Sequence, residues 1–315
     1  MIVGIFSPAE EGVISKFQEQ GIEIHMLIRS DSNTEDLRQL NPEILICRNR
    51  DNIAQFLQVC TNLKFIFINE VGLERLPFDE LLNHNVRVAN TSGISVDIMS
   101  NYGMACILHH STKLEEDISN KHNHYWKRYQ STDSLADKTL LVVGAGRTGS
   151  AIAKKAKAFD MTTLGIVNRK RIIDYFDEVG TLADLSCFLV KADYVICTMP
   201  LTPMTRYLFN RDKFNCMKQT SVFINISRGA LVNELDLLDA INKGKIAKAY
   251  LDVFEIEPLP ENHAFWAHPN IIVTPHQSGR LNKNLEISME YFFDNYRAYQ
   301  RGDTMPNEVN LDLGY

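Results

Sequence analysis

A chain of 315 residues is longer than one hydrophobic core comfortably serves, so two domains are expected. With 45% apolar and 23% charged residues it has the composition of a globular protein, not of a disordered one. A formal net charge of −6 argues against nucleic acid or an anionic membrane as the main partner.

The opening MIVGIFSPAEE lacks the basic start and long apolar centre of an export signal. No apolar run approaches the roughly 18 residues of a membrane helix. Cys47, Cys60, Cys106, Cys187, Cys197 and Cys216 form no CxxC pair and mostly lie in apolar segments, which reads as buried free thiols in a reducing cytoplasm.

In chain order, MIVGIF (1–6), EILIC (43–47), LKFIFIN (63–69) and VRVAN (86–90) read as buried parallel strands. Glu10–Gln20 and Asn52–Cys60 have helical spacing, and this βα alternation predicts a parallel sheet covered on both faces. Residues 98–114 read as a buried connecting helix. A second βα series follows, with strands in TLLVV (139–143), TTLGIV (162–167), ADYVICTM (192–199), SVFINIS (221–227), KAYLDVF (248–254) and IIVTP (271–275). The periodic stretch 284–301 predicts a helix that can pack back on the first domain. The expected division is therefore a discontinuous domain of residues 1–98 and 284–315, and a second domain of residues 99–283.

TLLVVGAGRTGSAIAKK sets Gly144, Gly146 and Gly149 between a strand and a helix, with Arg147 and Thr148 in the loop. The first glycine allows a tight turn, the second lets backbone approach a pyrophosphate, and the third lets helix and strand pack closely. The strand before and helix after are the context that makes this pattern a dinucleotide site.

At the end of the next strand, 19 residues beyond Gly149, an acid would normally hold a ribose hydroxyl. Asn168 stands there instead, followed by Arg169, Lys170 and Arg171. Asn removes the repulsion that an acid would exert on a 2′-phosphate, and the cations offer donors to one, so NADP is expected over NAD, with NAD possible.

Three polar residues follow successive strands of the second series: Arg228 in INISRGALVNE, Glu257 in LDVFEIEPLP and His276 in IIVTPHQSG. Loops at the carboxyl ends of parallel strands converge on one crevice, so the three can share a site.

These stretches, with VVGAGRTG and TMPLTPMTRYLF, resemble the D-isomer-specific 2-hydroxyacid dehydrogenases in order and spacing over nearly the whole chain, most strongly over residues 138–279. The resemblance implies two Rossmann-like parallel-sheet domains of α/β class with a cleft between them, a flavodoxin-like substrate domain and a dinucleotide-binding domain. It implies that Arg228 binds the substrate carboxylate and carbonyl oxygen, that His276 exchanges a proton with that oxygen, and that Glu257 orients the imidazole. Asp252 is expected near the nicotinamide carboxamide, and Thr198, Pro200 and Ser227 along the cofactor cleft. Arg48, Val71 and Gly72 are expected to contact substrate from the first domain.

The implied protein is a cytoplasmic homodimer that reduces a small 2-oxo acid to the D-2-hydroxy acid. A dinucleotide-sensing, non-catalytic protein on the same fold is the alternative, and turnover separates the two; a formate-type enzyme would need further amide and histidine residues that the sequence does not identify. Asn101 departs from the family's Glu in the connecting helix. Glu70 would disfavour a substrate with a negative distal group if it points inward. His109, His110, His122 and His124 do not share a helix face, so no metal site is expected there. In the resembling family this region helps build a dimer interface, which implies interface or interdomain packing for Tyr125, Trp126 and Tyr129.

Overall fold

A computed structural model describes the chain apart from residues 8, 9, 11, 31, 129, 130, 282, 283 and 313–315. The chain divides into two compact units: Met1–Ile94 with Leu281–Tyr315, and Ser95–Arg280.

The first unit carries β1 (Ile2–Phe6), β2 (Ile24–Ile28), β3 (Ile44–Cys47), β4 (Phe65–Ile68) and β5 (Arg87–Asn90). All pairings are parallel, in the order β2-β1-β3-β4-β5. This is the flavodoxin-like order, whose direction reverses between β1 and β3. Side chains alternate between two cores. Val3, Ile5, Ile66 and Ile68 join Leu37 and Leu57 on one face, while Ile2, Phe6, Phe65 and Phe67 join Phe17 and Phe292 on the other. Phe292 belongs to the helix Asn284–Arg301, and its ring centroid lies 5.4 Å from those of both Phe17 and Phe67. The chain then returns to the sheet edge, where Glu308 accepts two bonds of 2.7 Å from the Arg87 guanidinium.

β2 is not evident in the sequence. It is an edge strand, so its residues are half-buried or exposed and no continuous apolar run marks it.

The second unit carries β6 (Thr139–Val143), β7 (Thr162–Ile166), β8 (Glu178–Gly180), β9 (Tyr194–Cys197), β10 (Val222–Asn225), β11 (Lys248–Leu251) and β12 (Ile271–Val273). The order β12-β11-β10-β9-β6-β7-β8 is parallel throughout and reverses between β6 and β9, as in dinucleotide-binding sheets. Leu141 and Val143 face a core with Phe209 and Phe223, while Leu140 and Val142 face Met104 and Ile107. These last two lie on the helix Val96–Ser111, where Gly103 lets the backbone come close to the sheet: a Cβ there would sit 2.7 Å from Ile196 Cδ1. The connecting helix ends at Ser111, before Lys113 in the left-handed region, and a second helix runs Leu114–His122.

No helix among the described residues is long and apolar enough to cross a membrane. All six cysteines are free thiols. Cys47, Cys60, Cys106 and Cys197 are buried, whereas Cys216 is half-buried and Cys187, on the short helix Leu185–Leu189, is exposed.

Candidate active site

Because every strand of the second sheet runs the same way, the carboxyl ends of β6, β7, β9, β10, β11 and β12 share one edge. The segments that follow them carry Gly144, Asn168, Thr198, Ser227–Arg228, Glu257 and His276 in turn.

Gly144 has φ +113°, and a Cβ on it would lie 2.5 Å from the Met199 nitrogen. A Cβ on Gly149 would lie 2.3 Å from the Gly144 oxygen, so neither position accepts a side chain. Gly146 differs. It is exposed and caps the helix Arg147–Lys157, and nothing lies within 4 Å of a Cβ built on it. Open space before a helix N-terminus, where N–H groups and the helix dipole favour an anion, fits a dinucleotide pyrophosphate. Arg147 is exposed and Thr148 half-buried in that first turn.

Thr198 ties the two strands at which the sheet order reverses: its hydroxyl donates to the Gly144 oxygen (2.7 Å) and its N–H to the Val143 oxygen (2.9 Å). Pro200 is exposed, and its carbonyl accepts the Thr205 hydroxyl at 2.9 Å. The buried Ser227 hydroxyl donates to the Met199 carbonyl. After β7, Asn168, Arg169, Lys170 and Arg171 are all exposed. The Thr181 N–H and hydroxyl, with Lys170 nearby, hold the Asp184 carboxyl below its ordinary range.

The Arg228 loop is shaped by Asn225, which sequence reasoning missed. Its carboxamide, 1% exposed, accepts from the Ser227 N–H (3.1 Å) and donates to the Arg228 carbonyl (2.9 Å). Asn two residues before Ser is a turn signal that could have found it. Gly229 then packs directly on the next loop, since a Cβ there would lie 1.9 Å from the Phe254 carbonyl carbon and 2.4 Å from the Glu255 nitrogen. The loops carrying Arg228 and Glu257 are therefore in backbone contact.

His276 Nδ1 lies 2.7 Å from Glu257 Oε2, and Glu257 Oε1 accepts the Phe254 N–H at 3.0 Å. Both carboxylate oxygens are engaged and the ring direction is set, with Nε2 on the far side from Glu257. His276 is half-exposed and has φ +48°, a left-handed conformation unusual for a side-chain-bearing residue. Asp252 holds it there. The Asp252 carbonyl accepts the His276 N–H (2.8 Å), Oδ1 accepts from the Gln277 N–H (3.0 Å) and the Thr274 hydroxyl (2.7 Å), and Oδ2 accepts from the Ser278 N–H (2.8 Å). At 1% exposure, this carboxylate is turned into the protein.

In the first unit, Arg48 follows β3 and its guanidinium meets Glu10 at 2.7 Å. The Val71 carbonyl accepts the Asn90 amide at 2.9 Å; Val71 is exposed and Gly72 half-buried. Glu70 Oε2 accepts the Asn49 N–H at 3.0 Å, so its carboxylate braces a neighbouring loop. In the second unit, Asn101 accepts from Lys155 at 2.6 Å and donates to Asp97 at 3.3 Å. His109 meets the Tyr250 hydroxyl at 2.8 Å and His110 lies edge-on to Tyr194, while His122 and His124 are exposed. Tyr125 and Trp126 are 60% and 89% exposed; Tyr129 lies outside the described residues.

Residues 104–278 match the family described as D-isomer specific 2-hydroxyacid dehydrogenase, NAD binding domain. The chain belongs to this family. Like its relatives, this 2-hydroxyacid dehydrogenase is an NAD(P)-dependent oxidoreductase. It is 32% identical over 277 residues to a human glyoxylate reductase/hydroxypyruvate reductase, covering 85% of this chain and 84% of the relative. It is 30% identical over 290 residues to a glyoxylate reductase of Thermofilum pendens, covering 90% and 86%. Its fold matches the crystal structure of an NADPH-dependent glyoxylate/hydroxypyruvate reductase from Sinorhizobium meliloti, in complex with NADP and sulfate, at a TM-score of 0.84 and 26% identity, over 100% of this chain and 99% of the other. These names are those of enzymes, and the non-catalytic sensing alternative gains no support from them.

Proposed function

We propose that this dehydrogenase reduces a small 2-oxo acid with NADPH in preference to NADH, yielding the D-2-hydroxy acid. Glyoxylate and hydroxypyruvate are the first candidates, from the names of relatives at 30–32% identity. The observation that carries the reading is the His276–Glu257 pair at 2.7 Å, on the sheet edge that also carries the open Gly146 turn.

The second unit serves as the dinucleotide-binding domain. Gly144, Gly146, Arg147, Thr148 and Gly149 take the pyrophosphate, and Thr198, Pro200 and Ser227 line the site towards the nicotinamide end. Asn168, Arg169 and Lys170 take the 2′-phosphate. Their exposure after β7 and the lack of an acid there support this. The bound nicotinamide supplies the hydride. Arg228 binds the carboxylate of the 2-oxo acid with its planar fork of donors and orients the carbonyl. His276 delivers a proton from Nε2 to the carbonyl oxygen, and Glu257 fixes the ring through Nδ1. Asp252 serves the nicotinamide end by holding the His276 turn from behind.

The first unit serves as the substrate domain, contributing Arg48 and the backbone at Val71 and Gly72. The pairing of Arg48 with Glu10 cancels its charge locally and supports an uncharged distal group on the substrate. Unpaired cysteines support a reducing, cytoplasmic location. The exposed Tyr125 and Trp126 support a homodimer through that segment.

The test is the initial rate of NADPH and NADH oxidation against 2-oxo acids of increasing side-chain size. Turnover of at least about 1 per second with one small acid and a strong NADPH preference is expected. Equal rates with NADH would remove the 2′-phosphate assignment, and binding of cofactor without turnover on any acid would remove the reductase reading.

A further inference from the structure

The turn that carries His276 is anchored at both ends to one helix. At its start, the Tyr102 hydroxyl donates to Thr274 Oγ1 at 2.6 Å, and Thr274 Oγ1 donates in turn to Asp252 Oδ1 at 2.7 Å. At its end, the Ser95 hydroxyl donates to the Gly279 carbonyl at 2.8 Å. Ser95 is the N-cap of the helix Val96–Ser111, and Tyr102 lies seven residues further on. Seven residues make about two helical turns, so both anchors lie on one helix face. Gly279 rests on that face, where a Cβ would be in ordinary contact with Ser95 and Met99.

We infer that Tyr102 is a positioning residue for the reduction: through Thr274 and Asp252 it fixes the left-handed turn at His276, and so the direction in which Nε2 is presented. Because Thr274 Oγ1 gives its own proton to Asp252, the Tyr102 hydroxyl is the donor in the bond between them, and the Gln277 side chain also bonds that hydroxyl. Burial pushes its phenol up to about 12, so it stays protonated across the working range. The acceptor at the far end is a carboxylate that also receives the Gln277 and Ser278 N–H groups. Loss of the Tyr102 donor leaves Thr274 bonded to the carboxylate but no longer held to the helix, which frees the first residue of the turn. A shift of well under 1 Å at Nε2 is enough to lower turnover without touching either binding step.

The inference rests on His276 being the proton donor, so His276→Ala is measured alongside. It should abolish turnover while NADPH still binds. Tyr102→Phe should lower kcat about tenfold, with the KM for the 2-oxo acid and the Kd for NADPH within twofold of the native values. Thr274→Val should do the same, the double variant should be no worse than Thr274→Val alone, and Thr274→Ser, which restores the hydroxyl relay, should recover most of the lost kcat. Native kcat in Tyr102→Phe, even with a lowered melting temperature, would reduce Tyr102 to a structural role and overturn the inference. Additive losses in the double variant would overturn it too, by showing that the two hydroxyls do not act through one path. Retained turnover in His276→Ala would instead remove the reading on which the inference rests.

Discussion

At the carboxyl edge of the first sheet, the loops are tied by side-chain charges that face one another. Arg48 meets Glu10 at 2.7 Å and Arg29 meets Asp51 at 2.8 Å, while Asp51 also accepts the Arg48 N–H. At the same edge of the second sheet, the loops are tied by backbone groups and buried polar side chains: Asn225 under Arg228, Asp252 under His276, and Gly229 against Phe254. The first arrangement consumes its charges internally. The second is built from behind, so that the Glu257–His276 pair is directed outward on a rigid base. Both sheets have a strand-order reversal where a ligand can bind, but among the described residues it is the second edge that combines an open turn before a helix N-terminus with the paired Glu257 and His276.

Gly229→Ala is the variant expected to break the second arrangement most severely. Its Cβ would meet Phe254 backbone at 1.9 Å, and backbone cannot swing aside as a side-chain tip can. The Arg228 and Glu257 loops must separate, and kcat should fall about 100-fold, with a lower melting temperature. Native kcat would show that the spacing of the two loops does not matter to the reaction.

Arg169→Ala probes the exposed rim of the same edge. It should weaken NADPH binding about tenfold while leaving NADH nearly unchanged, the size of one charge-assisted hydrogen bond. Titration with both cofactors checks this; equal losses would return Arg169 to solvent.

The smallest effect belongs to the first arrangement. Burial acts to raise the Glu10 pKa, but the Ser7 N–H and hydroxyl and the Arg48 guanidinium outweigh it, and the carboxyl lies below its ordinary value. A depressed carboxyl stabilises the fold at pH above its unfolded-state value, and that contribution is lost as pH falls through the folded value. Glu10→Gln should therefore cost about 1 kcal/mol or less at neutral pH, and the difference from native should shrink with acidification. Urea unfolding at neutral pH and near pH 3 tests the sign. A difference that grows on acidification would contradict it.

Much of this architecture is legible in the residues themselves. Apolar runs such as EILIC and YVIC, short and alternating with helical stretches, read as strands buried on both faces, and a glycine turn between TLLVV and a helix points to phosphate chemistry because few other backbones tolerate that approach. Arg228, Glu257 and His276 stand out because each follows such a strand. The edge strands β2 and β8 escape notice because half-solvated strands carry no continuous apolar signal. Tyr102 and Thr274 escape for another reason. They are 172 residues apart, and nothing in either local stretch speaks of the other.

The sequence by itself determined most of the strand and helix alternation, the glycine turn between β6 and the helix after it, and the placing of Arg228, Glu257 and His276 after successive strands, since these follow from local periodicity and local backbone sterics. Only the tertiary structure decided that Asp252 faces inward, that Arg48 is already paired, and that His276 sits in a left-handed turn held to a distant helix. Those depend on hydrogen-bond geometry between segments remote in the chain, and a bond of 2.6 or 2.7 Å exists only when packing brings both groups within reach.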